Sequence, residues 1–324
     1  MGDVLLTLPA LGPVARALGA AVVFVTREDW APLAARHPAV GRVLTLPPRG
    51  ARGERAVAEL IRVANDDVKP DVVFDWHGIG LSRYIAAYVN ADAKETYRKY
   101  PVRRWLLAAC GVDLLPRPTR RVAELYAATA ARWGVKGPDW SFRLAEDERR
   151  RAEVRALGVT PGMVALAPGA RHAAKAWPAA HWRELARTLA DGGRVLLVGG
   201  ADERPLADEV AAAAPGAVNA AGAVPVAALP ELLRGARLLV TNDSAFAHLA
   251  PLVDVPVLAL FGPTTPRFGF APWGERDRVA YLGLPCSPCS KHGARRCWRL
   301  RRYCLEDLAP AAVATSAREM LGDS

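Results

Sequence analysis

Residues 237–274, RLLVTNDSAFAHLAPLVDVPVLALFGPTTPRFGFAPWG, constrain the fold more than any other stretch. Arg237–Thr241 is a short Leu/Val-rich run that suits a buried parallel strand. Asn242, Asp243 and Ser244 follow, residue types that favour turns and helix N-caps. Ala245–Val253 reads as a short helix, with Phe246, Leu249 and Val253 at helical spacing. Pro256–Phe261 is a second buried strand, closed by Gly262-Pro263. The order predicts a βαβ unit whose helix starts at the carboxyl edge of a sheet. Open α/β sheets bind ligands at that edge, and the free N–H groups of a helix start attract anions. His248 follows Ser244 by four residues, about one helical turn, and so shares a face with the elbow. By residue type alone, Asp243 and Ser244 serve equally as simple caps and His248 as a core histidine.

The same stretch resembles the donor-binding motif of the family 9 glycosyltransferases, the ADP-heptose:lipopolysaccharide heptosyltransferases. That motif runs Asp-Ser/Thr-Gly-x-x-His, an apolar strand, Phe/Tyr-Gly-Pro-Thr and a proline. Here it stands as Asp243, Ser244, His248, Phe261-Gly262-Pro263-Thr264 and Pro266. Ala245 replaces the family's glycine; its methyl narrows the room beside a phosphate but leaves the backbone N–H available. The resemblance covers Gly2 to about Val313.

With 324 residues, 51% hydrophobic and 23% charged, the composition is that of a globular chain of two domains. No apolar run approaches the length that spans a bilayer. Asp3 and the lack of a basic stretch ahead of the first apolar residues argue against a secretory signal, so a cytoplasmic location is expected. The net charge of +10 is carried mostly by arginine. A GC-rich genome accounts for it, and so does an anionic partner. Without a recognisable nucleic-acid module, the partner it suits is an anionic glycolipid at the cytoplasmic face of the inner membrane rather than nucleic acid.

Alternating elements run through both halves: strand Ala21–Thr26, helix Glu28–Arg36, strand Arg42–Leu46, helix Glu54–Asn65 and strand Asp71–Trp76, then helix Glu124–Trp133. The pattern restarts at Met163–Ala167, with helix Ala179–Ala190, strand Arg194–Val198, a helix over 205–213, a turn at Asn219–Gly222 and helix Ala228–Leu233. This predicts an α/β fold with parallel, doubly wound sheets. With the resemblance it implies the GT-B architecture: two Rossmann-like domains facing a cleft, 1–145 on the acceptor side and 146–324 for the nucleotide-sugar. Val4–Leu18 reads as a helix kinked at Pro9. Gly2–Leu11 resembles a family landmark that follows an apolar first strand, and that strand is expected upstream of Met1.

The resemblance assigns roles residue by residue. Asp3 is the expected catalytic base, although an aspartate there is otherwise an ordinary helix cap. Lys175, in the family-like run Pro-Gly-Ala…Lys-x-Trp-Pro, contacts the donor phosphates, with Arg171 and His172 as weaker candidates. Asp243, Ser244, Ala245, Phe246 and His248 surround the same phosphates. Glu203 either holds the ribose hydroxyls or complements a helix dipole. Val224 and Val226 line the adenine. Apart from the resemblance, the basic residues Arg98, Arg103 and Arg104, interleaved with aromatics, form either a solvated face or an acceptor-side contact, and His77, within the family-like Asp75-Trp76-His77-Gly78 at a strand end, is either structural or an acceptor contact. No Asp-x-Asp ends a strand, so transfer is expected to need no metal. Separately, Cys286, Cys289, Cys297 and Cys304 form C-x2-C-x7-C-x6-C, with Cys110 apart. That spacing fits tetrahedral zinc, with reduced thiols on a basic loop as the alternative.

The function expected from the resemblance is inverting transfer of heptose from ADP-heptose to a lipopolysaccharide core sugar. The alternatives are another nucleotide-sugar used for a different cell-envelope glycan, or a nucleotide-binding protein that has lost catalysis.

Overall fold

The computed structural model describes residues 1–48, 53–293 and 297–322. They divide into two compact units. The first comprises Met1–Lys99 and Arg120–Phe142, the second Tyr100–Thr119 and Arg143–Ser324. The segment 100–119, which the sequence places with the N-terminal half, packs with the second unit.

In the first unit β1 (Val22–Arg27) pairs in parallel with β2 (Val40–Leu46), and β3 (Val72–Asp75) with β4 (Ala93–Thr96), as two separate two-stranded sheets among the described residues. Helix Gly2–Leu18 runs through both Pro9 and Pro13 and ends at Gly19, whose φ of 58° is the left-handed cap that glycine tolerates. Pro13 has no N–H to give the carbonyl four residues earlier, so the Pro9 carbonyl is free to accept the Asp139 N–H at 2.7 Å. Leu5, Leu8, Leu11 and Val14 are buried on this helix, which packs on helix Val122–Ala127. An aromatic cluster completes the unit: Trp76 stacks on Tyr126 at 5.3 Å, Tyr97 meets Tyr126 edge-on, and Phe74 touches Trp76 and Trp133.

Among the described residues the second unit holds six parallel strands: β5 (Val164–Ala167), β6 (Val195–Leu197), β7 (Val218–Asn219), β8 (Leu238–Asn242), β9 (Val257–Phe261) and β10 (Arg278–Tyr281). Their spatial order is β10-β9-β8-β5-β6-β7. Within the unit this is the doubly wound order 3-2-1-4-5-6, so the winding direction reverses between β5 and β8. Every residue of β5, β6, β8 and β9 is buried, as the continuous Val/Leu/Ala runs dictate. Helices Ala179–Ala190, Arg204–Ala211 and Pro310–Leu321 cover the sheet through a core that includes Trp177, Trp182, Leu185 and Val313. Helix Pro101–Cys110 joins this unit through Leu107, which clusters with Leu115 and Phe268, while Arg267 grips Asp113 with two hydrogen bonds of 2.9 Å.

Candidate active site

The winding reverses between β5 and β8, and open α/β sheets bind ligands at the carboxyl ends of the strands at such a point, which makes it the candidate site. Asn242, the last residue of β8, is fully buried and ties three loops together. Its Nδ2 donates to the carbonyls of Pro168 (2.8 Å) and Gly169 (3.0 Å) just past β5. Its Oδ1 accepts the Trp177 N–H at 3.1 Å. Trp177 is anchored in turn through Nε1 to the Leu308 carbonyl, 2.9 Å away. The short turn Ala173–Lys175 is thus held against the next residue, Asp243.

There Lys175 Nζ donates to Asp243 Oδ2 at 2.6 Å, and Thr264 Oγ1 donates to the same oxygen at 2.7 Å. The side chains of Lys175 and Asp243 are only 15% and 10% exposed, so the pair is weakly screened. An ammonium carries three donors. Asp243 uses one to aim the group and leaves two for an anion.

Ser244 pairs with Thr241 at 2.9 Å between their hydroxyls, and its Oγ accepts the Phe246 N–H at 3.3 Å. Ala245 precedes the one-turn helix Phe246–Leu249 with φ −65° and ψ −26°, ordinary right-handed values. Alanine in place of glycine therefore costs no backbone strain. Phe246 is buried. His248 is buried too and stacks on Trp273, a residue of the chain after β9, at 6.1 Å.

Glu203 follows β6, the neighbour of β5 on the side away from β8. Its Oε2 accepts the Gly200 N–H at 2.8 Å. A Cβ on Gly169 would come within 1.9 Å of Glu203 Oε1, so this carboxylate rests directly on the glycine backbone whose carbonyl Asn242 holds. Burial pushes the Glu203 carboxyl above the usual range, Asp202 adds to this, and the Gly200 N–H opposes it. Val224 is half-buried beyond β7, and Val226 opens the turn Val226–Ala228.

In the first unit Asp3 and His77 come together, with His77 Nε2 3.8 Å from Asp3 Oδ2 and both side chains at least half exposed. His77 is presented by a tight turn at the end of β3, where the buried Asp75 Oδ1 accepts the N–H groups of His77 (3.1 Å) and Gly78 (2.7 Å). Arg98 is exposed in this unit. Arg103 and Arg104 belong to the second unit. Arg103 is exposed, its guanidinium 5.4 Å from the Tyr100 ring centre. Arg104 needs correcting as an acceptor contact: it is 8% exposed, donates through Nη2 to the Phe268 carbonyl at 2.9 Å and lies over the Phe268 and Phe270 rings. Helix Pro101–Cys110 turns it inward, and it is a buried structural cation.

The four clustered cysteines lie in the segment after β10. All five cysteines are free thiols, and among the described residues no three His, Cys, Asp or Glu side chains are arranged to hold a metal. Part of the Cys286–Cys304 segment, 294–296, lies outside the described residues. The thiols are nonetheless neighbours: burial first, then Cys289, Cys286 and Cys297, push the Cys304 thiol up to about 11.

Asn242, Thr264 and Gly169 escape the sequence reading as site residues. The only signal for Asn242 is a buried-type strand that ends in a polar amide. For Gly169 and Thr264 the signal is membership of the flanking motifs.

Comparison with known proteins identifies the family and the fold. The model of glycosyltransferase family 9 (heptosyltransferase) matches residues 107–297. Lipopolysaccharide heptosyltransferase 1 of Pseudomonas aeruginosa is 32% identical over 350 aligned positions, covering 99% of this chain and 95% of that protein. Lipopolysaccharide heptosyltransferase 3 of Escherichia coli is 27% identical, covering 85% and 84%. Among solved structures, the family 9 glycosyltransferase of Veillonella parvula superposes with a TM-score of 0.79 at 21% identity, covering 100% of this chain and 94% of that one. Escherichia coli heptosyltransferase WaaC with ADP gives 0.70 at 24%, covering 99% and 97%. The parallel α/β fold is thus shared with these enzymes, and the chain belongs to glycosyltransferase family 9, the heptosyltransferases.

Proposed function

We propose that this chain transfers heptose from ADP-heptose to a sugar of the lipopolysaccharide core, by single displacement with inversion and without a catalytic metal. The observation that carries the donor side is the Lys175–Asp243 pair at the reversal point of the six-stranded sheet. The near-full-length likeness to lipopolysaccharide heptosyltransferase 1 supports the sugar and the acceptor class. WaaC, solved with ADP and with ADP-2-deoxy-2-fluoro heptose, is a parallel for the donor.

In the transfer, the acceptor hydroxyl oxygen forms a bond to the anomeric carbon while the bond from that carbon to the phosphate oxygen breaks. The acceptor proton goes to the Asp3 carboxylate, and the electron pair leaves with ADP. His77, beside Asp3, orients that carboxylate. The departing diphosphate gains charge, which the Lys175 ammonium and the backbone N–H groups of Ser244, Ala245 and Phe246 offset. Glu203 accepts from the ribose hydroxyls, and Val224 and Val226 flank the adenine. The chain acts in the cytoplasm at the inner-membrane surface. No described helix is long and apolar enough to cross a membrane, and the +10 charge suits electrostatic contact with an anionic glycolipid.

ADP release from ADP-heptose in the presence of a core acceptor, against a panel of other nucleotide-sugars, tests this reading. Turnover with a different sugar alone would redirect it, and ADP binding without turnover would mark a lapsed enzyme. Asp3→Asn is expected to lower kcat by about 10²–10⁴-fold while leaving ADP affinity intact; a kcat within a few-fold of wild type removes Asp3 as the base.

A further inference from the structure

The cysteine-bearing segment after β10 has no part in the chemistry above, yet it is built into the donor site. Its first half hangs on the two residues that follow β9. Ser287 Oγ donates to the Gly262 carbonyl and receives the Tyr281 hydroxyl. The N–H groups of Cys289 and Ser290 both donate to the Pro263 carbonyl, at 3.1 and 3.2 Å. The next residue is Thr264, which holds Asp243. Ser290 is buried, and its Oγ accepts the N–H groups of His292 (3.3 Å) and Gly293 (2.9 Å), folding the strap back on itself.

That fold lays Gly293 on the stem of Lys175. Gly293 is buried with φ 72°, a left-handed conformation that side chains disfavour. A Cβ there would fall 2.5 Å from Lys175 Cγ, 2.7 Å from Cε and 3.0 Å from Cδ. These are the middle atoms of a chain whose far end is pinned to Asp243. The lysine cannot yield by swinging its tip and would have to leave its partner.

We infer that the segment Cys286–Gly293 is a strap that positions Lys175 for the donor diphosphate, with Gly293 as its contact and Ser290 as the residue that sets its turn. This rests on the reading of Lys175 as a phosphate ligand. The strap clamps both members of the ion pair, Asp243 through the chain at Pro263-Thr264 and Lys175 through Gly293. Its rigidity thus becomes the precision of the ammonium. A buried lysine without such a wall has several rotamers to lose on binding an anion; one already confined has fewer.

Calorimetric titration of ADP into the full chain tests this, using Lys175→Ala, Gly293→Ala, the double variant and Ser290→Ala, with thermal unfolding to check folding. Gly293→Ala is expected to weaken ADP binding by about tenfold or more when Lys175 is present, and by less than about twofold when residue 175 is alanine, because Gly293 acts only through the lysine. Ser290→Ala is expected to weaken binding in the same Lys175-dependent way by a smaller factor. Wild-type affinity in Gly293→Ala, or an equal loss in both backgrounds, overturns the strap. Should Gly293→Ala not fold, Ser290→Ala decides: unchanged ADP affinity overturns the inference, and a Lys175-dependent loss upholds it. Unchanged affinity in Lys175→Ala alone removes the lysine from the donor site, and the strap's role falls with it.

Discussion

The two units solve the same folding problem with different means. In the second, β5, β6, β8 and β9 are buried at every position, and helices close over a continuous apolar core. In the first, β1, β3 and β4 are half-exposed or exposed at most positions, and among the described residues each sheet has two strands. Two-stranded sheets are marginal on their own. The first unit leans instead on helix Gly2–Leu18 and on the ring cluster of Phe74, Trp76, Tyr97 and Tyr126. The contrast teaches where precision is available. The proposed donor site, which would have to hold an ammonium in place, falls on the unit whose strands are buried throughout, where its winding order reverses.

Paired truncations distinguish the two units most directly. Trp182→Ala, which empties a fully buried site in the second unit, is expected to cost about 3–5 kcal/mol of stability. Val25→Ala, at a β1 side chain 43% exposed, is expected to cost about 0.5 kcal/mol. Urea unfolding of the two variants measures both. Equal losses would mean that the first unit's strands carry as much packing as the second's.

A smaller effect distinguishes the first unit by pH. His37 is buried beside Phe142, its Nδ1 accepting the Ala39 N–H, and burial lowers its pKa to about 4 from the ordinary 6.5, outweighing the opposing pull of Asp139. The folded chain keeps this imidazole neutral while the unfolded chain takes up a proton below pH 6.5. The associated stability is complete above 6.5 and drains away as pH falls towards 4, by up to about 3 kcal/mol. The urea midpoint should fall across that window in the wild type and fall less in His37→Gln.

The smallest expected effect sharpens the second unit's side. The Glu203 carboxyl is pushed upward by burial, so it retains its proton to higher pH than an exposed glutamate. In the proposed role of ribose acceptor it would work when ionised. ADP affinity should therefore rise as pH climbs through the raised pKa and then level, a span of about 1 kcal/mol. Glu203→Gln should bind ADP with no such dependence. A flat wild-type profile would take Glu203 out of the ribose site.

Legibility followed the same division. The buried strands and helix Ala179–Ala190 were readable because continuous Val/Leu runs and 3.6-residue periodicity survive burial on both faces. The edge strands β4 (Ala93–Thr96) and β10 (Arg278–Tyr281) were not, because an edge strand half in water mixes Lys, Glu, Thr and Arg with its apolar residues. Helix Pro101–Cys110 read as a basic surface, since its sequence does not reveal that Phe268 and Phe270 would meet Arg104. Lys175, Asp243 and Glu203 were legible only through motif likeness.

By itself the sequence determined the alternation of strand and helix, the family, and the residue types at the elbow after β8. These depend on local periodicity and on motifs a few residues long. The tertiary structure alone decided that Lys175 meets Asp243 across 68 positions of chain, that Asn242 ties the β5 loop to the Trp177 turn, and that Gly293 closes on the lysine stem. Each of these is a contact between segments distant in sequence. Neither partner's local environment encodes it, because it comes into being only when the sheet order sets β5 beside β8 and the segment after β10 folds back onto Lys175.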